Sequence, residues 1–127
     1  MRRLLIMVVL AAAIVALVVA GRSRSGPVRL RATGAHYSVT VTLDEPAVHP
    51  VAAEVRVEPG TAGSVWLSAV MPAMGHATPE ITARRQGPGR FTATGRLFTM
   101  AGVWELSVRV RGAAGEEVVV VSTLVTG

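Results

Sequence analysis

Hydrophobic and polar residues alternate along most of the chain after residue 27. The clearest example is residues 37–43, where apolar side chains occupy every second position with serine or threonine between them, and the same period runs through residues 53–58 and 104–111. Because successive side chains of a β-strand point to opposite faces, this pattern predicts strands with one buried and one wet face. We expect the buried faces to include Val39, Val41, Val55, Leu67, Phe91, Trp104, Leu106 and Val108.

Shorter apolar runs separated by glycine and proline turn signals complete the pattern; they are residues 65–70, 79–84, 90–97 and 117–125. Beyond residue 25 no segment repeats apolar residues at helical spacing. About seven or eight short strands in a chain of this size predict an all-β fold, an immunoglobulin-like antiparallel β-sandwich. The final run, VVVVSTLV, is apolar on both faces, which favours a central strand or one covered by a partner.

The N-terminus carries an uninterrupted apolar run at residues 4–20, after Arg2 and Arg3. Its length exceeds the usual apolar core of a signal peptide, about 7 to 15 residues, and just reaches the lower limit of about 17 for a spanning helix. Both a cleaved signal and an uncleaved helical anchor stay open, and we favour the anchor. We expect a signal peptide or membrane anchor at residues 1–21, a linker at 22–27, and one domain at 28–127, outside the cytoplasm and either membrane-anchored or secreted.

The composition of the 127-residue chain excludes several kinds of site. It has no cysteine, so disulfides, thiolate zinc sites and cysteine nucleophiles are ruled out. Its net charge of +5 arises largely from four arginines in or just after the leader, and the other arginines are scattered among the acids along the sequence. This distribution does not predict a nucleic-acid-binding surface.

The motif MPAMGH at residues 71–76 gathers two of the three methionines that follow the leader. Pro72 ends strand pairing and Gly75 permits a turn, so we expect Met71 to leave the sheet and Met74 and His76 to lie in a shaped loop. Two thioethers and an imidazole without a carboxylate suit copper, and Cu(I) above all, because thioether sulfur is a soft donor. The predicted metal ligands are Met71, Met74 and His76, with Met100 as the candidate fourth.

Packing is the alternative explanation for the same residues. Methionine commonly fills irregular gaps in cores, and Met100 could equally pack under the loop. A single histidine near a turn is often only a surface residue. His36 and His49 are expected to face solvent, although either could approach the site from another loop.

The motif, together with LFTMAGVWEL at residues 97–106, resembles the YtkA-like domain and the related FixH-like proteins. Those families combine M-P-x-M-G-H with a later glycine-aromatic strand and an M-x-G-x-W strand; here Arg90 separates Gly89 from the aromatic Phe91. The resemblance covers roughly residues 30–125 and implies an extracytoplasmic immunoglobulin-like domain, FixH-like members being linked to copper handling during assembly of haem-copper oxidases. The matching residues are Met71, Pro72, Met74, Gly75, His76, Met100, Gly102 and Trp104.

Two functions follow from these patterns. The first is a copper-binding module that handles or delivers copper to a membrane protein, with an oxidase as a candidate recipient. The second is a metal-free interaction or accessory module of a membrane complex. The sequence shows no paired nucleophile and base, no carboxylate pair beside the histidine and no phosphate-binding glycine loop, so we expect no enzymatic activity. The expected partners are the membrane and a membrane protein, and not nucleic acid.

Overall fold

The alternating segments form two antiparallel β-sheets in the computed structural model, which describes residues 26–126. The leader and most of the linker lie outside the described residues, so the expected domain division remains a prediction. A 3₁₀ turn at Pro72–Met74 follows the fourth strand. The ten strands of the described residues are β1 Val28–Thr33, β2 Ser38–Leu43, β3 Val51–Glu58, β4 Ala62–Met71, β5 His76–Ala77, β6 Ile81–Thr82, β7 Arg84–Gly87, β8 Arg90–Gly95, β9 Gly102–Gly112 and β10 Gly115–Val125.

The strand order is that of an immunoglobulin-like sandwich. One sheet has the order β1-β2-β3-β8-β7 and the other β10-β9-β4-β5, with β6 also paired to β4. Strands β2, β3, β8 and β7 follow the A-B-E-D order of an immunoglobulin sheet, and β4, β9 and β10 follow C-F-G. Strand β1 is an addition beside β2. The expected fold class is confirmed.

The core lies between the two sheets and contains every residue predicted to be buried. The eight side chains named from the alternation are each at most 1% exposed. Burying a large aliphatic or aromatic side chain contributes roughly 1.5–3 kcal/mol relative to leaving it in water, so these positions hold the sheets together. Within residues 26–126, no helix is long and apolar enough to cross a membrane.

The count of seven or eight strands is lower than the ten found. The difference comes from very short pairings, since β5 and β6 have two residues each. The expected strand at residues 79–84 is divided between β6 and the start of β7. A strand of two residues is too short to show a period of two, which is why the sequence pattern missed it.

Of the two alternatives expected for the final run, a central strand or a strand covered by a partner, the first is wrong. Among the strands of residues 26–126, β10 is the edge of its sheet and pairs with β9 alone. Its inward residues are buried, but Val118, Val120 and Leu124 are 54%, 46% and 41% exposed on the outer face. The apolar outer positions therefore do not reflect burial within this fold, and their covering by a partner stays a prediction.

Candidate metal centre

The MPAMGH motif forms a tight connection between β4 and β5. Met71 is the last residue of β4, and Gly75 closes the following turn with φ of +61°, donating its N–H to the Pro72 carbonyl at 3.3 Å. Glycine adopts this left-handed conformation without steric cost. His76 then pairs directly with Met71 across the two strands. Directly opposite residues of an antiparallel pair project from the same face, so Met71 and His76 share one face at the end of this sheet.

Two details of the predicted loop are therefore corrected. Met71 does not leave the sheet, because it is still paired in β4, and His76 belongs to β5 rather than to the loop. Only Pro72–Gly75 forms the connection itself. The connection is so short that β5 pairs at once with the end of β4. Met71 and His76 are therefore direct cross-strand neighbours.

The Met71 side chain points inward and contacts the start of β9. It is 4% exposed. A β-carbon placed on Gly102 would lie 2.6 Å from the Met71 Cε. Gly102 also has a φ of +138°, a backbone conformation that residues other than glycine rarely adopt. Glycine at this position therefore leaves the space that the methionine occupies.

Met100 is attached to the same region through its backbone. The Trp104 indole Nε1 donates a hydrogen bond to the Met100 carbonyl at 2.9 Å. Trp104 is fully buried and packs edge-on against Phe98, with ring centroids 5.7 Å apart. The Met100 side chain is partly buried against the core. This tryptophan thus fixes the loop that carries Met100 beside the strand that Met71 contacts.

Thr78 ties the motif to that loop. Its Oγ1 accepts a hydrogen bond from the Ala69 N–H at 3.1 Å and can donate to the Leu97 carbonyl at 3.2 Å or to the Ala69 carbonyl at the same distance. The side chain is largely buried. Sequence reasoning missed this residue, because a single threonine after a histidine carries no signal for a contact with a segment distant in the sequence.

The four predicted ligands differ in exposure. Met71 is buried and Met100 half-buried, whereas Met74 is 63% exposed at the turn and His76 is exposed. The structure brings Met71 opposite His76, and it brings Met71 against Gly102, close in the chain to Met100. Met74 lies at the outer rim of the turn.

The other two histidines lie elsewhere. The backbone N–H of His36 donates to the Glu117 carboxylate at one end of β10, while Ala47 bridges Thr126 at the other end. At about 3.4 Å per residue these ends are about 30 Å apart, and the motif lies at the Thr126 end. His36 is therefore too far to contribute.

His49 shares the motif's end of the sandwich, but its ring is already engaged. Its Nδ1 lies 2.9 Å from the Pro50 carbonyl and its Nε2 lies 3.4 Å from a Glu45 carboxylate oxygen. This arrangement raises the pKa of His49, chiefly through the hydrogen bond to the Pro50 carbonyl and further through Glu45. The His76 ring, by contrast, is exposed to solvent.

The donor chemistry is dominated by sulfur. Within the described residues, no group of three or more His, Cys, Asp or Glu side chains is placed to hold a metal ion. A hard-metal site of clustered carboxylates or imidazoles therefore has no basis there. Thioether donors, which define soft-metal sites, are the chemistry that the methionines offer.

Comparisons with known proteins show the fold and no more. No protein-family model and no curated protein matches the chain significantly. A copper-bound variant of FetP from uropathogenic Escherichia coli superposes with a TM-score of 0.55 at 10% identity, covering 80% of this chain and 92% of that one. An engineered protein superposes with a TM-score of 0.54 at 18% identity over 68% of this chain, which spans only 20% of that protein's length. The chain thus shares its β-sandwich fold with FetP, a protein solved with copper bound.

Proposed function

We propose that this protein is an extracytoplasmic copper-binding module of the YtkA-like or FixH-like kind. The observation that carries the proposal is the pairing of Met71 with His76, where Met71 also contacts the segment that follows Met100. The fold shared with copper-bound FetP supports the proposal. The protein's role is then to handle copper or to deliver it to a membrane protein, with a membrane oxidase as the candidate recipient.

The donor set fits copper better than other metals. Met71, Met74 and Met100 supply uncharged thioethers and His76 an imidazole, which together favour the soft ion Cu(I). Zinc sites are usually built from thiolates, several imidazoles or carboxylates. Outside the cytoplasm free thiols tend to oxidise, so thioethers are the sulfur ligands that persist there.

The unequal exposure of the ligands suits a module that exchanges its metal. Met71 is held in the core, while Met74 and His76 are exposed to solvent. An incoming ligand from a partner protein can reach the exposed side first and replace Met74 or His76 before Met71 is released. We therefore assign the protein a binding and transfer role without catalysis.

Copper affinity is the decisive measurement. The domain is titrated with Cu(I) under anaerobic conditions against a competing chelator, in the wild type and in the Met71→Leu, Met74→Leu and His76→Ala variants. Leucine keeps the approximate volume of methionine and removes the sulfur. Each variant should bind Cu(I) more weakly, whereas His36→Ala, about 30 Å from the site, should match the wild type. Absence of Cu(I) binding by the folded wild type would refute the proposal.

The leader determines where the module acts. If the apolar run at residues 4–20 is not cleaved, it would keep the domain at the non-cytoplasmic surface of the membrane. If it is cleaved, the domain would be released. A C-terminal reporter that works only outside the cytoplasm should be active, and the mass of the mature protein should include the leader. Activity of a reporter that works only inside would contradict the proposed location.

A metal-free interaction module is the second candidate. Val118, Val120 and Leu124 on the outer face of β10 favour it, because exposed apolar side chains on one sheet face are typical of contact surfaces. The two functions differ in copper affinity. If the folded wild type binds no Cu(I), the methionines act in packing and the interaction module is the better assignment.

A further inference from the structure

The outer face of the first sheet gathers arginines that are far apart in the sequence. Four consecutive cross-strand partners form one row over β1, β2, β3 and β8, and five more form a second row that continues into β7. Directly opposite residues share a face, so the arginines of both rows point to the same side. The first row is Arg31, Thr40, Arg56 and Arg90; the second is Arg29, Thr42, Glu54, Thr92 and Arg84. We call the five arginines of these rows the arginine face.

The arginine face is exposed and only partly neutralised. All five arginines are exposed, and among the described residues the ion pair on this face joins Arg56 to Glu54 at 3.0 Å. Glu58 adds a second carboxylate to this surface, and Asp44 continues the outward positions of β2 past Thr42. The five guanidinium groups therefore outnumber the three carboxylates near them. On the outer face of the second sheet, by contrast, Arg109 contacts both Glu80 and Glu116.

One cross-strand pair of the arginine face opposes the fold. Arg56 lies directly opposite Arg90, and like charges in that position are destabilising. Beside them, a groove of about 340 Å³ is lined by three arginines, by hydroxyls of β2 and by two glutamates; the charged residues are Arg29, Arg31, Arg56, Glu54 and Glu58. Guanidinium and hydroxyl groups are the donors that bind phosphate oxygens, and an anionic surface would relieve the repulsion between the arginines.

We propose that the arginine face docks on the phosphate headgroups of an anionic lipid bilayer. Charge complementarity supports this occupant, and so does the position of the leader. Strand β1, which carries Arg29 and Arg31, begins at Val28, and the linker at residues 22–27 adds two more arginines after the apolar run. A linker of this length reaches at most about 20 Å, so an anchored leader holds β1 near the membrane surface. The inference rests on the leader being retained, as the proposed location has it.

The experiment uses the absence of cysteine from the chain. A single fluorophore is attached through Thr40→Cys, at the centre of the arginine face, or through Ser107→Cys, on the outer face of the second sheet. The full-length protein is reconstituted in neutral vesicles and in vesicles with about one third anionic phospholipid. Energy transfer to an acceptor on the lipid headgroups then reports how close each face lies to the bilayer.

Docking predicts that transfer from the Thr40 probe rises in anionic vesicles and reverses at 1 M salt, where the screening length falls to about 3 Å. Transfer from the Ser107 probe should not rise. Each arginine near an anionic surface raises the ratio of docked to undocked protein about fivefold. The triple variant Arg31→Gln, Arg56→Gln, Arg90→Gln should therefore lower this ratio on the order of a hundredfold. Equal transfer from both probes, or no dependence on lipid charge, would overturn the inference. The inference would also be overturned if the fluorescence of the Thr40 probe changed on addition of duplex DNA and did not change with anionic vesicles.

Cu(I) affinity, measured on the same arginine variants, keeps this test separate from that of the proposed function. The triple variant should retain the wild-type affinity, because none of its substituted residues belongs to the methionine site. Retained affinity also shows that the variant is folded. Failure of docking with intact copper binding would reject this inference alone, and absence of copper binding with intact docking would reject the copper site alone.

Discussion

Met71 and His76 lie directly opposite each other at the end of the β4 and β5 pairing, the first buried and the second exposed. The Met71 side chain is packed in the core, whereas the His76 side chain is accessible to solvent. A metal bound by both would be positioned by the fold through Met71 and be accessible through His76. The predictions below test this relationship and the packing that supports it.

Cu(I) binding should weaken in acid without being lost. Protons compete with the metal for an imidazole nitrogen, but they do not compete for a thioether sulfur. The wild type should therefore bind Cu(I) more weakly at pH 5 than at pH 7.5. In His76→Ala most of this pH dependence should disappear, while Met71→Leu should lower affinity at both values. Competition titrations at the two pH values measure the difference, and an unchanged pH dependence in His76→Ala would exclude that residue as a ligand.

Gly102→Ala should disturb the Met71 side chain. The new β-carbon would lie 2.6 Å from the Met71 Cε at a φ of +138°, so the methionine must move and the backbone is strained. We expect a loss of about 1–3 kcal/mol in the free energy of unfolding, together with weaker Cu(I) binding. Gly115→Ala is the matched control, because Gly115 also has a positive φ, of +111°, and no atom lies within 4 Å of the added carbon. Chemical denaturation compares the two, and equal stability would show that Met71 does not depend on this space.

Thr78→Val should loosen the connection between the motif and the loop at Leu97. Valine keeps the shape but leaves the Ala69 N–H and the Leu97 carbonyl without the hydroxyl, at a cost of about 1–3 kcal/mol. Thr78→Ser retains the hydroxyl and should stay closer to the wild type. Unfolding in urea measures both variants. Equal losses in both would indicate that the methyl group, and not the hydrogen bonding, matters here.

His49 should titrate above the ordinary histidine value. Its pKa is raised because its protonated ring donates to the Pro50 carbonyl and faces Glu45. Stability gained from a raised pKa is present below the unfolded value near ~6.5 and is lost as pH rises through the folded value. NMR titration of the ring protons should show a midpoint above that of an unfolded reference, and Glu45→Gln should lower it. A midpoint at or below the reference would contradict the geometry.

The two faces of the second sheet should respond differently to truncation. Leu106 is fully buried, and Leu106→Ala should cost about 2–5 kcal/mol of the free energy of unfolding. Val120 lies on the outer face of the edge strand, and Val120→Ala should change the stability by no more than about 0.5 kcal/mol. A large loss in Val120→Ala for the isolated chain would mean that this face is covered in solution.

Much of the candidate site was predictable because it is local. Met71, Pro72, Gly75 and His76 are close in the chain, and the turn chemistry of proline and glycine brings the ends of such a motif together. The burial of Met71 was not predictable, because it depends on Gly102 from a strand that is distant in the sequence. For the same reason the contacts of Thr78 with Leu97 could not be inferred.

The sequence by itself determined which long segments are strands and which of their side chains face the core, because the period of two is a property of each strand alone; it could not determine the two-residue strands β5 and β6. Only the tertiary structure decided the order of the strands, since the same alternation suits an edge or a central position. That order put the apolar strand β10 at an edge and placed Met71 beside β9. It also gathered arginines from four strands on one face, because residues far apart in the chain become neighbours only when their strands pair.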